Sequence, residues 1–174
     1  MPNRSPNRLE APSLRLRKGS ELSLSGAALI GLMRDVLARS RSFRFCARGC
    51  SMSPFIEDGD VITVAPLSPK PWAPAYGLGQ VVALVNPVSQ KLVVHRITGR
   101  HGSHFVIQGD NLPGLVDGMF HRGDILGRVV RVERGGKRIW LGLGPERHAI
   151  AVLSRAGLLR RVLWRANALA RFLR

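Results

Sequence analysis

Ser51 stands in the segment R-G-C-S-M-S-P-F-I-E-D-G-D, residues 48–60, between a glycine turn and a strand-like run at 61–64. A serine hydroxyl is a poor nucleophile at neutral pH. It needs a neighbouring base to take its proton during attack, and a third group to hold that base in the right tautomer. Downstream, L-V-V-H-R-I places His95 inside a β-patterned run, and G-D-N followed by Asp117 supplies two carboxylates, Asp110 and Asp117. Ser51 as nucleophile, His95 as general base and Asp117 as its orienter fit those roles, although unrelated folds arrange such groups in any chain order. His101, His104, His121 and His148 stand in no such block and are assigned no role.

Groups so far apart in sequence need a scaffold. Runs at 43–47, 61–65, 81–85, 92–98, 104–108, 125–133 and 138–142 are separated by Gly, Pro, Asn and Asp clusters, which predicts an antiparallel, partly closed sheet system. Period-2 alternation puts Val93, His95 and Ile97 on one face of their strand and Val94, Arg96 and Thr98 on the other. Ahead of the sheet, Leu29, Ile30, Met33, Val36 and Leu37 recur at helical spacing, predicting one helix from Ser25 or Gly26 to Arg39, with Ser25 as cap. One helix is too little for a helix-turn-helix DNA reader. The proline-rich stretch 68–74 reads as a rigid loop whose Trp72 can line a peptide groove or stand on the surface without a role.

The predicted organisation is a basic, disordered tail over 1–20, a mainly β domain with its leading helix over 21–144, and a basic amphipathic helical tail over 145–174. In that last segment Ile150, Leu153, Leu159, Leu163, Leu169 and Leu173 keep helical spacing, with a break expected near Gly157 if there are two helices. After Glu146 it holds seven arginines and no acid. Such a helix suits an anionic membrane interface, and equally suits docking on the β domain with its arginines in water.

Charge and cysteines narrow the class of partner. The chain carries 27 Lys and Arg against 11 Asp and Glu, a net charge of +16 over 174 residues, favouring anionic lipid, acidic peptide or nonspecific nucleic acid. Its two cysteines, Cys46 and Cys50, are too far apart in an extended segment to bridge comfortably and read as free thiols of a reducing compartment. A zinc site is weakly supported, because no second closely spaced ligand pair accompanies them. No run has the pattern of a secretory signal or approaches the roughly 20 apolar residues that span a bilayer. The expected location is therefore cytoplasmic or peripheral on a membrane.

The blocks G-C-S-M-S-P-F-I-E-D-G-D-V-I-T-V, V-V-H-R-I-T-G, F-V-I-Q-G-D-N and I-L-G-R-V occur in order between about Arg44 and Val132. Together they resemble the type I signal peptidases and the self-cleaving repressors that share their β-rich catalytic domain. A histidine in the second block is similar to the serine-histidine branch found in endoplasmic-reticulum, archaeal and sporulation-type enzymes. The resemblance implies an antiparallel β catalytic fold, a Ser51–His95–acid mechanism without metal or organic cofactor, and a peptide or preprotein substrate bound as an extended strand. It also implies an oxyanion held by backbone N–H groups of the turn Gly49–Cys50–Ser51–Met52, chiefly that of Ser51.

The chain departs from the family pattern in three places. Val116 stands where the family has the first acid of a pair, and Asp117 falls one residue late, so the resemblance implies Asp117 as the orienter of His95, with Asp110 as the second choice. Gly49 replaces the serine that many signal peptidases use to help hold the oxyanion. No membrane anchor is evident. The expected activity is that of a serine endopeptidase; the alternative is a regulatory or scaffold module, self-cleaving or inactive, at nucleic acid or a membrane surface.

Overall fold

The computed structural model describes residues 25–66, 76–112 and 117–172, with 166–172 as backbone only. The basic tail 1–20, the loop 68–74 with Trp72, Val116, and the side chains of Leu169 and Phe172 lie outside this description.

The fold is mainly antiparallel β. In chain order the elements are α1 (Gly26–Ala38), β1 (Phe43–Cys46), β2 (Val61–Ala65), β3 (Val81–Val85), β4 (Leu92–His101), β5 (His104–Gln108), β6 (Gly118–Phe120), β7 (Ile125–Arg134), β8 (Lys137–Ile139), α2 (Arg147–Arg155) and α3 (Leu159–Phe172), with a 3-10 turn at Arg122–Asp124 before β7. Sheet order is β1-β2-β7-β3-β4-β5-β6, and β8 adds to β7. Long β7 meets β2 through residues 128–133, β3 through 125–128 and β8 through 132–134. Register shifts at Thr63/Val64 and Ala83/Leu84 accompany these changes of partner, bending the sheet as bulges do.

Every residue of β3 is buried, which explains its unbroken apolar sequence V-V-A-L-V. Val81 and Ala83 face a core closed by α1, with Met33, Leu37, Ile62, Val64 and Val132. Val82 and Leu84 face a second core with Ile97, Phe105, Ile107, Phe120 and Ile125. On α1, Ile30, Met33 and Leu37 form the buried stripe, and Ser25 Oγ accepts the Ala28 N–H at 3.3 Å as the helix cap.

The last segment is two helices. Gly157, at φ +69°, breaks them, and the Leu158 N–H returns to the Leu153 carbonyl at 2.9 Å. Their apolar stripe turns inward: Ile150 and Leu159 are buried against Phe55, with Leu153 and Leu163 beside them. Trp164 stays 73% exposed on α3, whose Arg160, Arg161 and Arg165 are also exposed. Among the described residues no helix is long and apolar enough to cross a membrane.

Candidate active site

Ser51 lies in the turn that follows β1. Gly49 takes φ +94°, a conformation side chains disfavour, and its N–H donates to Asp58 Oδ1 at 2.8 Å. Met52 is buried in the α1-side core and anchors the turn, while Cys50 is exposed. The Met52 carbonyl accepts N–H bonds from Phe55 and Ile56, and the Cys50 carbonyl accepts from Ser53. Among the described residues the Ser51 N–H meets no acceptor, so it is free to donate to an incoming oxygen.

The far side of this loop is tied to β7. Asp60 is buried and accepts from the Glu57 N–H at 2.8 Å and from Arg134 Nε at 2.9 Å and Nη2 at 2.8 Å. Arg134 also reaches the Pro54 carbonyl at 3.2 Å and Glu57 at 3.1 Å. Burial on its own raises the Asp60 pKa, but the Arg134 and Glu57 hydrogen bonds together outweigh it and hold the carboxyl below its ordinary value.

His95 is 6% exposed in mid-β4, opposite Val82 of β3. Its Nε2 is 2.8 Å from Ser51 Oγ. Its Nδ1 is hydrogen-bonded to Asp117 Oδ2. A neutral ring that donates from Nδ1 to Asp117 can accept the Ser51 proton at Nε2, the tautomer required for general-base catalysis. Asp117 owes its place to β6: its N–H donates to the Ile107 carbonyl at 3.1 Å, and Gly118 then pairs with Ile107.

Asp110 is engaged elsewhere, which corrects its expected second place as orienter of His95. Arg96 Nε lies 2.9 Å from Asp110 Oδ1, and Arg96 Nη2 lies 2.7 Å from Oδ2, with both side chains wholly buried. Arg96 Nη1 donates further to the Gly79 and Gly142 carbonyls, each at 2.8 Å. Because β4 alternates, Arg96 points away from the His95 face, and Asp110 follows it. Burial pushes the Asp110 carboxyl up, while the Arg96 hydrogen bonds and charge, and then His95, draw it back.

Sequence reasoning missed four positioning residues. The alternation puts Arg96 on the face of Val94 and Thr98 without giving it a role; the signal was a charge in a run apolar on both faces. Arg134 carried no local signal. Asn111 closes the site by donating its N–H to the Ser51 carbonyl at 2.8 Å and its Nδ2 to the Cys50 carbonyl at 3.1 Å. At Gly109 a Cβ would stand 2.8 Å from the Ser51 carbonyl oxygen and 3.1 Å from His95 Nε2, so only glycine lets β5's end pass this close. Cys46 and Cys50 are free thiols, and among the described residues no group of three His, Cys, Asp or Glu side chains could hold a metal ion.

No protein-family model matches the chain, and no curated protein matches it either.

Proposed function

We propose that the protein is a serine endopeptidase of the signal-peptidase-like class, acting on an extended peptide or preprotein segment. The observation that carries this reading is the continuous hydrogen-bonded chain Ser51–His95–Asp117, drawn from three separate elements. Ser51 Oγ attacks the scissile carbonyl as His95 Nε2 takes its proton. The imidazolium, stabilised by Asp117, returns that proton to the leaving amine, and water then hydrolyses the acyl-enzyme by the same route. The Ser51 N–H faces the developing oxyanion, where removal of one such donor typically costs about 2.7–4 kcal/mol. No cofactor takes part in these steps.

An extended substrate fits the edge of β1. Among the described residues β1 pairs with β2 alone, and its chain runs directly into the Ser51 turn, so a strand added there would lead its carbonyl towards Oγ. Exposed Trp164 among Arg160, Arg161 and Arg165 supports a peripheral location on an anionic membrane, presenting membrane-proximal peptides to the site.

The test is labelling by a serine-directed acylating probe, followed by mass spectrometry of the modified peptide. Acylation at Ser51, absent in Ser51→Ala and strongly reduced in His95→Ala, is the expected result. A folded protein that is never acylated is a binding module, and the peptidase reading fails.

A further inference from the structure

The Ser51 N–H belongs to the peptide unit that begins with the Cys50 carbonyl. That peptide is trans and planar, so its N–H and C=O point in opposite directions, and whatever holds the Cys50 oxygen also aims the Ser51 N–H. Two donors hold it. The Ser53 N–H, at 3.1 Å, closes the turn from within, and Asn111 Nδ2, at 3.1 Å, reaches it from beyond β5. A carbonyl oxygen only accepts, so the Asn111 amide must turn its NH2 group to it. The other peptide flanking the nucleophile, Ser51–Met52, is the middle unit of the turn, the one whose orientation differs between turn types. Its carbonyl accepts the Asn111 main-chain N–H at 2.8 Å. One residue therefore ties down the peptides on both sides of Ser51.

We infer that Asn111 is a positioning residue of the oxyanion site: through the Cys50 carbonyl it points and polarises the Ser51 N–H, without touching the substrate itself. The inference rests on the peptidase reading above. An amide whose oxygen already accepts hydrogen bonds is a stronger N–H donor, and a donor fixed in advance needs no reorganisation as charge develops on the substrate oxygen. Asn111 is itself held from both sides. The wholly buried Arg96–Asp110 pair anchors the residue before it, and the Leu112 N–H turns back to the Gly109 carbonyl at 3.2 Å. The block Gly109–Asp110–Asn111 thus divides its work: passage past His95, anchorage to Arg96, and aim of the oxyanion donor.

Single-turnover release of p-nitrophenolate from p-nitrophenyl acetate, with protein in excess and Tm measured beside it, tests the role. The limiting rate reports acetylation of Ser51, and the half-saturating protein concentration reports binding of the ester. Asn111→Ala removes the side-chain donor and keeps the main-chain bond. Asn111→Asp keeps the shape and sets a carboxylate oxygen against the Cys50 oxygen, which drives the peptide out of line. The limiting rate should fall about 10-fold in Asn111→Ala and about 10²–10³-fold in Asn111→Asp, the range for loss of an oxyanion donor, with half-saturation unchanged. A packing role alone would lower Tm and leave the limiting rate native. Native limiting rates in both variants, or an Asn111→Asp variant no slower than Asn111→Ala, overturn the inference and leave the peptidase reading standing. A native chain no faster than Ser51→Ala overturns the peptidase reading, and this inference with it.

Discussion

Arg96 and Asp110 form a wholly buried, doubly hydrogen-bonded pair immediately beyond His95 on β4 and Gly109 after β5. The pair fixes the path of the chain on which Asn111 reaches back to Ser51, while Asp117, past β6, is left to His95. Two aspartates close in sequence thus have opposite tasks.

Their replacement should separate those tasks. Asp117→Asn should leave stability nearly unchanged and lower turnover roughly 10⁴-fold, because the amide cannot hold the required tautomer. Asp110→Ala should cost about 3–5 kcal/mol of stability, since it leaves Arg96 charged and unpaired inside the protein. Urea unfolding beside peptide hydrolysis measures both. Stability loss in Asp117→Asn with none in Asp110→Ala would reverse the assignment.

Gly109→Ala should place a methyl group against the Ser51 carbonyl and His95 Nε2. Overpacking of this kind costs about 1–3 kcal/mol. A displacement near 1 Å between nucleophile and base is worth about 100-fold in rate. The expected variant is folded, a few degrees less stable, and at least 100-fold slower. Native-like kinetics would mean that Gly109 does not limit the approach of Ser51 and His95.

Acid stability should depend on Asp60. Its folded pKa lies below the ordinary 3.8, so its contribution is fully present above that value and is lost as pH falls through the lower folded value. Between pH 5 and pH 2 the Tm of the native chain should therefore fall more steeply than that of Asp60→Asn, although the variant starts lower because Arg134 has lost one of its two carboxylate partners. Parallel curves would exclude Asp60 as a source of the acid dependence.

Removal of residues 145–174 should unfold the protein and not merely detach a tail. Ile150, Ala151 and Leu159 are buried, and each large apolar side chain contributes about 1.5–3 kcal/mol against a total stability of about 5–15 kcal/mol. Loss of α2 also strips the Ser154 carbonyl from buried Gln108. Leu159→Ala, expected to cost about 2–5 kcal/mol, is the milder form. A truncated chain with native Tm and circular dichroism would show that the helices are appendages.

Much of this arrangement was legible because local signals agreed with the fold. Ser25 followed by the Ile30, Met33 and Leu37 stripe gave α1 to within a residue, and alternating or unbroken apolar runs gave the long strands. The errors fall where local pattern is weak. Strand β6, three residues long, exists through its pairing with β5, and nothing in G-M-F announces it. The run at 138–142 ends as a strand at Ile139, because Gly142 turns at φ +93° and packs against Phe55. Ser51, His95 and Asp117 stood out through the ordered blocks that resemble the signal peptidases, and so did the preference for Asp117; what no local pattern shows is that Asp110 is held by Arg96. Its partner lies across β4 and β5, and only tertiary structure pairs them.

The position of Phe55 beneath Ile150 and Leu159 has a consequence during synthesis. A ribosome, adding roughly 5–20 residues per second, releases the Ser51 loop before Ile150 and Leu159, the residues that pin Phe55. Until then the nascent chain lacks the lid of its own third core. A chain that stops short of Ile150 therefore carries the serine without the packing on Phe55, and the Ser51 hydroxyl is held at His95 only once those later residues have emerged.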